Sequence, residues 1–222
     1  MNIYNLIILD ASGSMDPLIK PSVDGVNETI QTIRAAKKKD PANEQFIGLF
    51  AFSSCYPGIT QPIIQLQSIE NVKEIKYEDY QPEGCTPLYD AIGKIVSIYK
   101  ETMKPEDKAL VTIITDGYEN SSVHYNAQMI HQLITSLREK GWIFSYIGAN
   151  QDSLLESQKI GIDNALDFLA DEDSTREMWQ KELHCRTQFF DLLHEKGNCK
   201  TQEEADKVEK ALHILQSKYF KQ

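Results

Sequence analysis

Residues 3–14 read Ile-Tyr-Asn-Leu-Ile-Ile-Leu-Asp-Ala-Ser-Gly-Ser. The apolar run from Ile3 to Leu9 stops at Asp10 and passes into a turn of small residues. A short continuous apolar run of this kind suits a strand buried on both faces, as in a parallel sheet covered by helices. A strand end followed by a small-residue turn projects Asp10, Ser12 and Ser14 together into the crevice above the sheet's carboxyl edge, where open α/β sheets bind ligands. One carboxylate and two hydroxyls make a hard, all-oxygen cluster. Mg²⁺ favours such ligands in octahedral geometry and keeps waters, or borrows a ligand from its substrate, to complete its sphere.

Comparable apolar runs recur at Phe46–Phe52, Ala109–Thr115 and Trp142–Ile147, with a weaker one at Ala165–Leu169. Helical stripes lie between them: Val23, Val26, Ile30 and Ile33; Leu88, Ile92, Ile95 and Tyr99; Met129, Leu133, Ile134 and Leu137. Strand and helix alternate, so the expected fold is α/β, a doubly wound, Rossmann-like and mostly parallel sheet of about six strands with helices on both faces. Pro62–Leu66 follows the second strand after a loop too short for a helical crossover and reads as one antiparallel edge strand.

The last fifty or so residues are charged and helical. Ser174 with Glu177, and Thr201 with Glu204, have the spacing of a capping box, and Gly197-Asn198 between them reads as a helix stop. Two helices therefore close the chain. The expected division is a domain over residues 1–172 and a C-terminal helical extension over 173–222 packed on it. Val208, Leu212, Leu215 and Tyr219 give the last helix an apolar stripe that either packs on its own domain or docks a partner.

Two further segments are built for the crevice that holds Asp10. In Gly84-Cys85-Thr86-Pro87-Leu88-Tyr89-Asp90, Thr86 is expected at the N-cap and Pro87 at the first helical position, which aims the Thr86 hydroxyl. Asp116-Gly117 follows the strand that ends at Thr115 and supplies a second carboxylate. Three loops thus converge on one ion. Met15, Tyr89, Tyr118, Glu119 and Asn120 stand near these ligands, either as a rim that selects the partner or as ordinary loop residues. Asn150 and Gln151, on the same sheet edge, are candidates to orient the ligands from behind. Cys85 reads as a small buried thiol.

The pattern Asp-x-Ser-x-Ser, then Gly-x-Thr-Pro-Leu-x-Asp-Ala, then Thr-Asp-Gly resembles the metal ion-dependent adhesion site of von Willebrand factor A-type (VWA) domains, over roughly residues 1–170. The resemblance implies that Ser12, Ser14 and Thr86 supply hydroxyl ligands and that Asp10 and Asp116 bind directly or through water. It implies Mg²⁺, with Mn²⁺ or Ca²⁺ as oxygen-seeking alternatives, and a protein partner whose acidic residue completes the octahedron. Two aspartates balance the divalent charge, and neutral hydroxyls leave the metal electrophilic enough to accept that carboxylate. The stand-alone intracellular prokaryotic members of the family, including those of tellurium-resistance and stress-response systems, are the type it resembles.

Composition narrows the function further. The formal charge of −10 over 222 residues lacks the cationic excess that phosphate backbones require, so no nucleic-acid partner is expected. The run Lys37-Lys38-Lys39 reads as helix-end cations rather than a binding patch. No stretch reaches the roughly 18 apolar residues of a membrane span, and the N-terminus lacks the pattern of a signal peptide. Cys55, Cys85, Cys185 and Cys199 form no Cys-x-x-Cys pair, and reduced thiols in the cytoplasm are the expectation. Enzyme readings fare worse. A phosphatase of the haloacid dehalogenase type needs a second aspartate where Ser12 stands, and neither Gly-x-Ser-x-Gly nor Gly-x-Gly-x-x-Gly occurs. His184, Cys185, His194 and Cys199 lack regular zinc spacing. A non-catalytic protein-binding module is expected, with a metal-dependent phosphohydrolase, or a scaffold that binds through its last helix, as the alternatives.

Overall fold

The computed structural model describes residues 1–149 and 152–220. Its sheet is formed by β1 (Asn2–Asp10), β2 (Glu44–Phe52), β3 (Thr60–Ser68), β4 (Lys108–Thr115), β5 (Ile143–Ala149) and β6 (Ala165–Phe168), in the order β3-β2-β1-β4-β5-β6. β1 pairs in parallel with both β2 and β4, β5 with β4, and β6 with β5, while β3 runs antiparallel along the β2 edge. The expected architecture is therefore the observed one, including the antiparallel edge. Chain order reverses between β1 and β4, which opens a crevice above their carboxyl ends. Their register sets Leu9 beside Ile114 and so brings Asp10 and Thr115 together at the lip of that crevice.

Alternation along β1 explains why it is apolar on both faces apart from Asn5, whose side chain is hydrogen-bonded. Ile3, Ile7 and Leu9 face a cluster shared with α1 (Ile19–Lys39) and α5 (Glu172–Asn198), whereas Tyr4, Leu6 and Ile8 face α2 (Leu88–Lys100) and α3 (Ala127–Arg138). Both faces are covered, so neither set can be polar without a partner. α4 (Ser153–Lys159) and α6 (Gln202–Lys218) complete the helices. α1 and α5 approach closely because Gly25 lies under Trp179: a Cβ built on Gly25 would stand 2.2 Å from the indole. On α6, Val208, Leu215 and the following Tyr219 are buried and Leu212 partly so, which uses the stripe against the chain's own core. A partner could reach its buried members, Val208, Leu215 and Tyr219, only by displacing the helix.

Two local expectations need correction. α2 begins one residue later than its composition suggests, with Pro87 at the N-cap, because the backbone of Thr86 is held outside the helix by Asn120. α5 begins at Glu172, and its N-cap is Asp171, whose carboxylate accepts from the Ser174 N–H. The hydroxyl of Ser174 instead accepts from the Leu169 N–H, so the Ser174–Glu177 pair is not a capping box. The Thr201–Glu204 box forms as expected. Lys37 to Lys39 lie in the last turn of α1, where Lys37 donates to the carbonyls of Pro41 and Asn43 and pairs with Glu44. Among the described residues no helix is long and apolar enough to cross a membrane.

Candidate functional site

Asp10 ends β1 fully buried, with both carboxylate oxygens engaged. Oδ1 accepts from the Ser12 N–H at 2.7 Å and Oδ2 from the Thr115 hydroxyl at 2.5 Å. The first bond is the turn that a small residue at Ser12 permits, and the second is the β1–β4 register expressed in side chains. The Asp10 carbonyl accepts from the buried Tyr80 hydroxyl. Past this point the chain enters a 3₁₀ turn, Gly13–Leu18.

The hydroxyls of Ser12 and Ser14 stand 3.2 Å apart, and Ser14 donates to Asp116 Oδ1 at 2.7 Å, linking the first loop to the loop after β4. Thr86 is buried on the third loop. A Cβ built on Gly117 would lie 3.2 Å from Thr86 Oγ1 and 4.0 Å from Ser14 Oγ. Glycine at that position keeps open the space on which the hydroxyls converge. All five expected ligand residues, Asp10, Ser12, Ser14, Thr86 and Asp116, therefore meet around one spot.

Backbone pairing holds the loops in place. Gly13 N–H donates to the Gly84 carbonyl at 3.0 Å and Glu83 N–H to the Ala11 carbonyl at 2.8 Å. Asn120 accepts from the Thr86 N–H at 2.9 Å through its side chain and donates its own N–H to the Thr86 carbonyl at 3.2 Å. Glu119 accepts from the N–H groups of Tyr89, Ser121 and Ser122. Asn120 and Glu119 are thus braces between loops as well as neighbours of the site. Of the other rim candidates, Tyr118 is 55 % exposed and Tyr89 half-buried, but Met15 is 0 % exposed, because the 3₁₀ turn points it into the core. Met15 cannot belong to a rim. Cys85 is exposed rather than buried. Asn150 and Gln151 lie outside the described residues.

Three contributors escaped the sequence reading. Thr115 holds Asp10, Tyr80 holds the strand end, and buried Asp90 accepts from the N–H groups of Val123, His124 and Tyr125 at 2.8, 2.8 and 2.6 Å, stitching α2 to the loop after Asp116. Thr115 and Asp90 both lie inside the quoted motifs, Thr-Asp-Gly and Leu-x-Asp-Ala. Their direction toward Asp10 and the far loop is a property of the assembled sheet.

Burial pushes the Asp10 carboxyl up to about 6, against hydrogen bonds from Thr115 and Ser12 that lower it, and the nearby Asp116 charge adds to the rise. Burial also raises Asp116. Two partly desolvated carboxylates facing each other are an arrangement that a divalent cation neutralises. In metal-free protein the folded state holds a proton on Asp10 between about pH 4 and about 6, where the unfolded chain has lost it. Stability therefore falls as pH rises through that window and levels off above it, at a cost of ~3 kcal/mol. Asp10→Asn is expected to lack this fall. In urea unfolding with EDTA it should exceed the wild type at pH 7 and converge on it near pH 4, and equal stability at both pH values would contradict the assignment.

Among the described residues no three His, Cys, Asp or Glu side chains gather into a cluster able to hold a metal ion. A metal at this site would rest on two carboxylates and three hydroxyls.

No protein-family description matches the sequence, and no curated protein matches it. Solved structures do match the fold. The chain is similar to a von Willebrand factor type A protein from Catenulispora acidiphila, with a TM-score of 0.60 and 15 % identity over 83 % of this chain and 42 % of that one. It is similar to the SpRpn10 VWA domain, with a TM-score of 0.53 and 12 % identity over 82 % of this chain and 94 % of that one. It is also similar to the manganese-loaded Plasmodium vivax TRAP protein, with a TM-score of 0.50 and 16 % identity over 80 % and 71 % of the two chains. The chain spans less than half the length of the Catenulispora protein and of a mussel byssus thread matrix protein it also matches, at 42 % and 46 %. With its β3-β2-β1-β4-β5-β6 sheet and helices on both faces, the chain has the von Willebrand factor A fold.

Proposed function

We propose that this protein is a non-catalytic binding module that captures a protein partner through a Mg²⁺ ion held by Asp10, Ser12, Ser14, Thr86 and Asp116. The observation that carries this reading is the convergence of three loops on the space beside Gly117, where two raised carboxylates and three hydroxyls face one another. That donor set fits a hard divalent cation: the aspartates match its charge and the hydroxyls add oxygens without adding more. When bound, the ion supplies a Lewis-acidic position for a carboxylate from outside.

The chain's own residues do the rest. Thr115 and the Ser12 N–H keep Asp10 aimed, Asn120 keeps Thr86 aimed, and the exposed Tyr118 with half-buried Tyr89 borders the opening. That the similar TRAP structure is loaded with manganese supports a divalent ion, and Mn²⁺ or Ca²⁺ remain alternatives to Mg²⁺. In this reading residues 1–172 form the binding unit of a cytoplasmic protein, and residues 173–222 are an extension packed on it.

The test is affinity capture from the source cell with the full chain immobilised. A partner is expected to be retained with Mg²⁺, released by EDTA, recovered when Mg²⁺ is restored, and never retained by Asp10→Ala. Capture that is indifferent to EDTA and to Asp10→Ala would overturn the proposal.

A further inference from the structure

At the opposite edge of the sheet from Asp10, a cavity of about 970 Å³ lies between the starts of β4 and β5, the turn after α3, and α6. Its size is that of a small-molecule site. Half-buried Leu212 and exposed Ile214 give it accessible apolar surface over the buried Ile143 and Phe189. Lys108, the first residue of β4, brings an ammonium into the same space.

Lys108 is half-buried, yet no described residue offers its Nζ a hydrogen bond or an ion pair. Two of the charged groups beside it are already committed. Arg138 donates to the Gly161 carbonyl and pairs with Asp163, and Glu209 is paired with Lys196. Burial pushes the Lys108 ammonium below its usual range, and the neighbouring Lys196 pushes it further, with Glu209 opposing. The backbone makes room for this head group. Gly141, at φ +86°, stands against it, and a Cβ there would lie 3.1 Å from Nζ.

Half-burial of an ammonium without a partner carries a cost, and an anion in the cavity would offset it. Arg138, Lys140 and Lys210 line the space along with Glu139, Asp206 and Glu209, and in this mixed field the one half-buried ammonium matches a single negative charge. We propose that this cavity binds a small amphipathic monoanion, a carboxylate on an apolar chain or ring, with Lys108 holding the carboxylate and Leu212 and Ile214 receiving the apolar part. β4 separates this site from the candidate metal site by roughly 23 Å, at about 3.3 Å per residue, so the two can fail independently.

Anilinonaphthalene sulfonate, a fluorescent amphipathic monoanion, is a suitable probe for the full chain. Saturable single-site binding is expected, with decanoate displacing the probe and decyltrimethylammonium leaving it bound. Lys108→Met, which keeps the stem and removes the charge, should weaken the probe about tenfold, the worth of one charge-assisted hydrogen bond, with no loss of thermal stability. Leu212→Trp should abolish binding by filling the cavity with Lys108 left in place, while Asp116→Ala should bind the probe as the wild type does. The proposal is overturned by non-saturable binding, by equal displacement with the cationic amphiphile, or by wild-type affinity in folded Lys108→Met or Leu212→Trp.

Discussion

Asp116→Ala is expected to lower Mg²⁺ affinity roughly 100-fold or more, equivalent to about 2.7 kcal/mol, while leaving the circular dichroism spectrum unchanged. The side chain is only partly buried and its described hydrogen bond is from the Ser14 hydroxyl, so its removal leaves the sheet intact. On the proposed reading it takes away one of two charges that would face the ion, and neutral hydroxyls from Ser12, Ser14 and Thr86 do not replace a charge. Thr115→Val should give a smaller loss, about tenfold, because it frees Asp10 Oδ2 without removing a ligand. Calorimetric titration of both variants reads the two effects separately. Equal Mg²⁺ affinity in Asp116→Ala and wild type would remove Asp116 from the site, and equal losses in the two variants would show that Thr115 does more than aim Asp10.

The largest effect on stability should come from the other side of the sheet. Arg186 and Glu182, one turn apart on α5, are both 0 % exposed and paired with each other. Arg186 also donates to Asn5 Oδ1 at 2.7 Å and to Thr112 Oγ1 at 2.9 Å, and Asn5 in turn donates to Gln45 at 3.1 Å. One guanidinium thus joins α5 to β1 and β4, with β2 reached through Asn5. Arg186→Met would leave the Glu182 carboxylate buried beside polar groups that have lost their donor. A loss of about 3–5 kcal/mol is expected in urea unfolding. Glu182→Leu combined with Arg186→Met should recover most of it, because no charge is then left unpaired. A single variant within about 1 kcal/mol of the wild type would mean that Glu182 finds another partner or a proton at small cost.

The two sides of the sheet differ in how far they could be read from residues alone. Ile3–Leu9 ending in Asp10, and Leu110–Thr115 ending in Asp116, each announce a buried strand whose carboxyl end carries an acid. That follows from local chemistry, since a continuous apolar run has few other uses and a small-residue turn has few other shapes. The antiparallel edge position of β3 was accessible for a similar reason: a loop too short for a helix admits only an antiparallel neighbour, whereas the order of the six strands came only from the structure. Thr201 with Glu204 was legible because a capping box lies within one turn of chain.

Where local signals compete, they misled. Thr86 looked like the N-cap of α2, but Asn120, 34 residues away, takes its backbone, and Pro87 caps instead. Ser174 looked like the start of α5, but Asp171 is nearer the strand end and wins the free N–H. Met15 beside Ser14 looked available to a partner, and the 3₁₀ turn buries it.

From sequence alone came the alternating α/β plan and five oxygen-bearing residues at two strand ends and one helix start, because strand burial and turn chemistry act between near neighbours. Only the tertiary structure decided that Thr115 and Asn120 hold those residues in aim, that Asn5, Thr112, Glu182 and Arg186 form one buried network, and that Lys108 faces a cavity with no partner. The first two depend on groups dozens of residues apart being brought within about 3 Å, and the third on where helix packing leaves space, all set by strand register and helix packing.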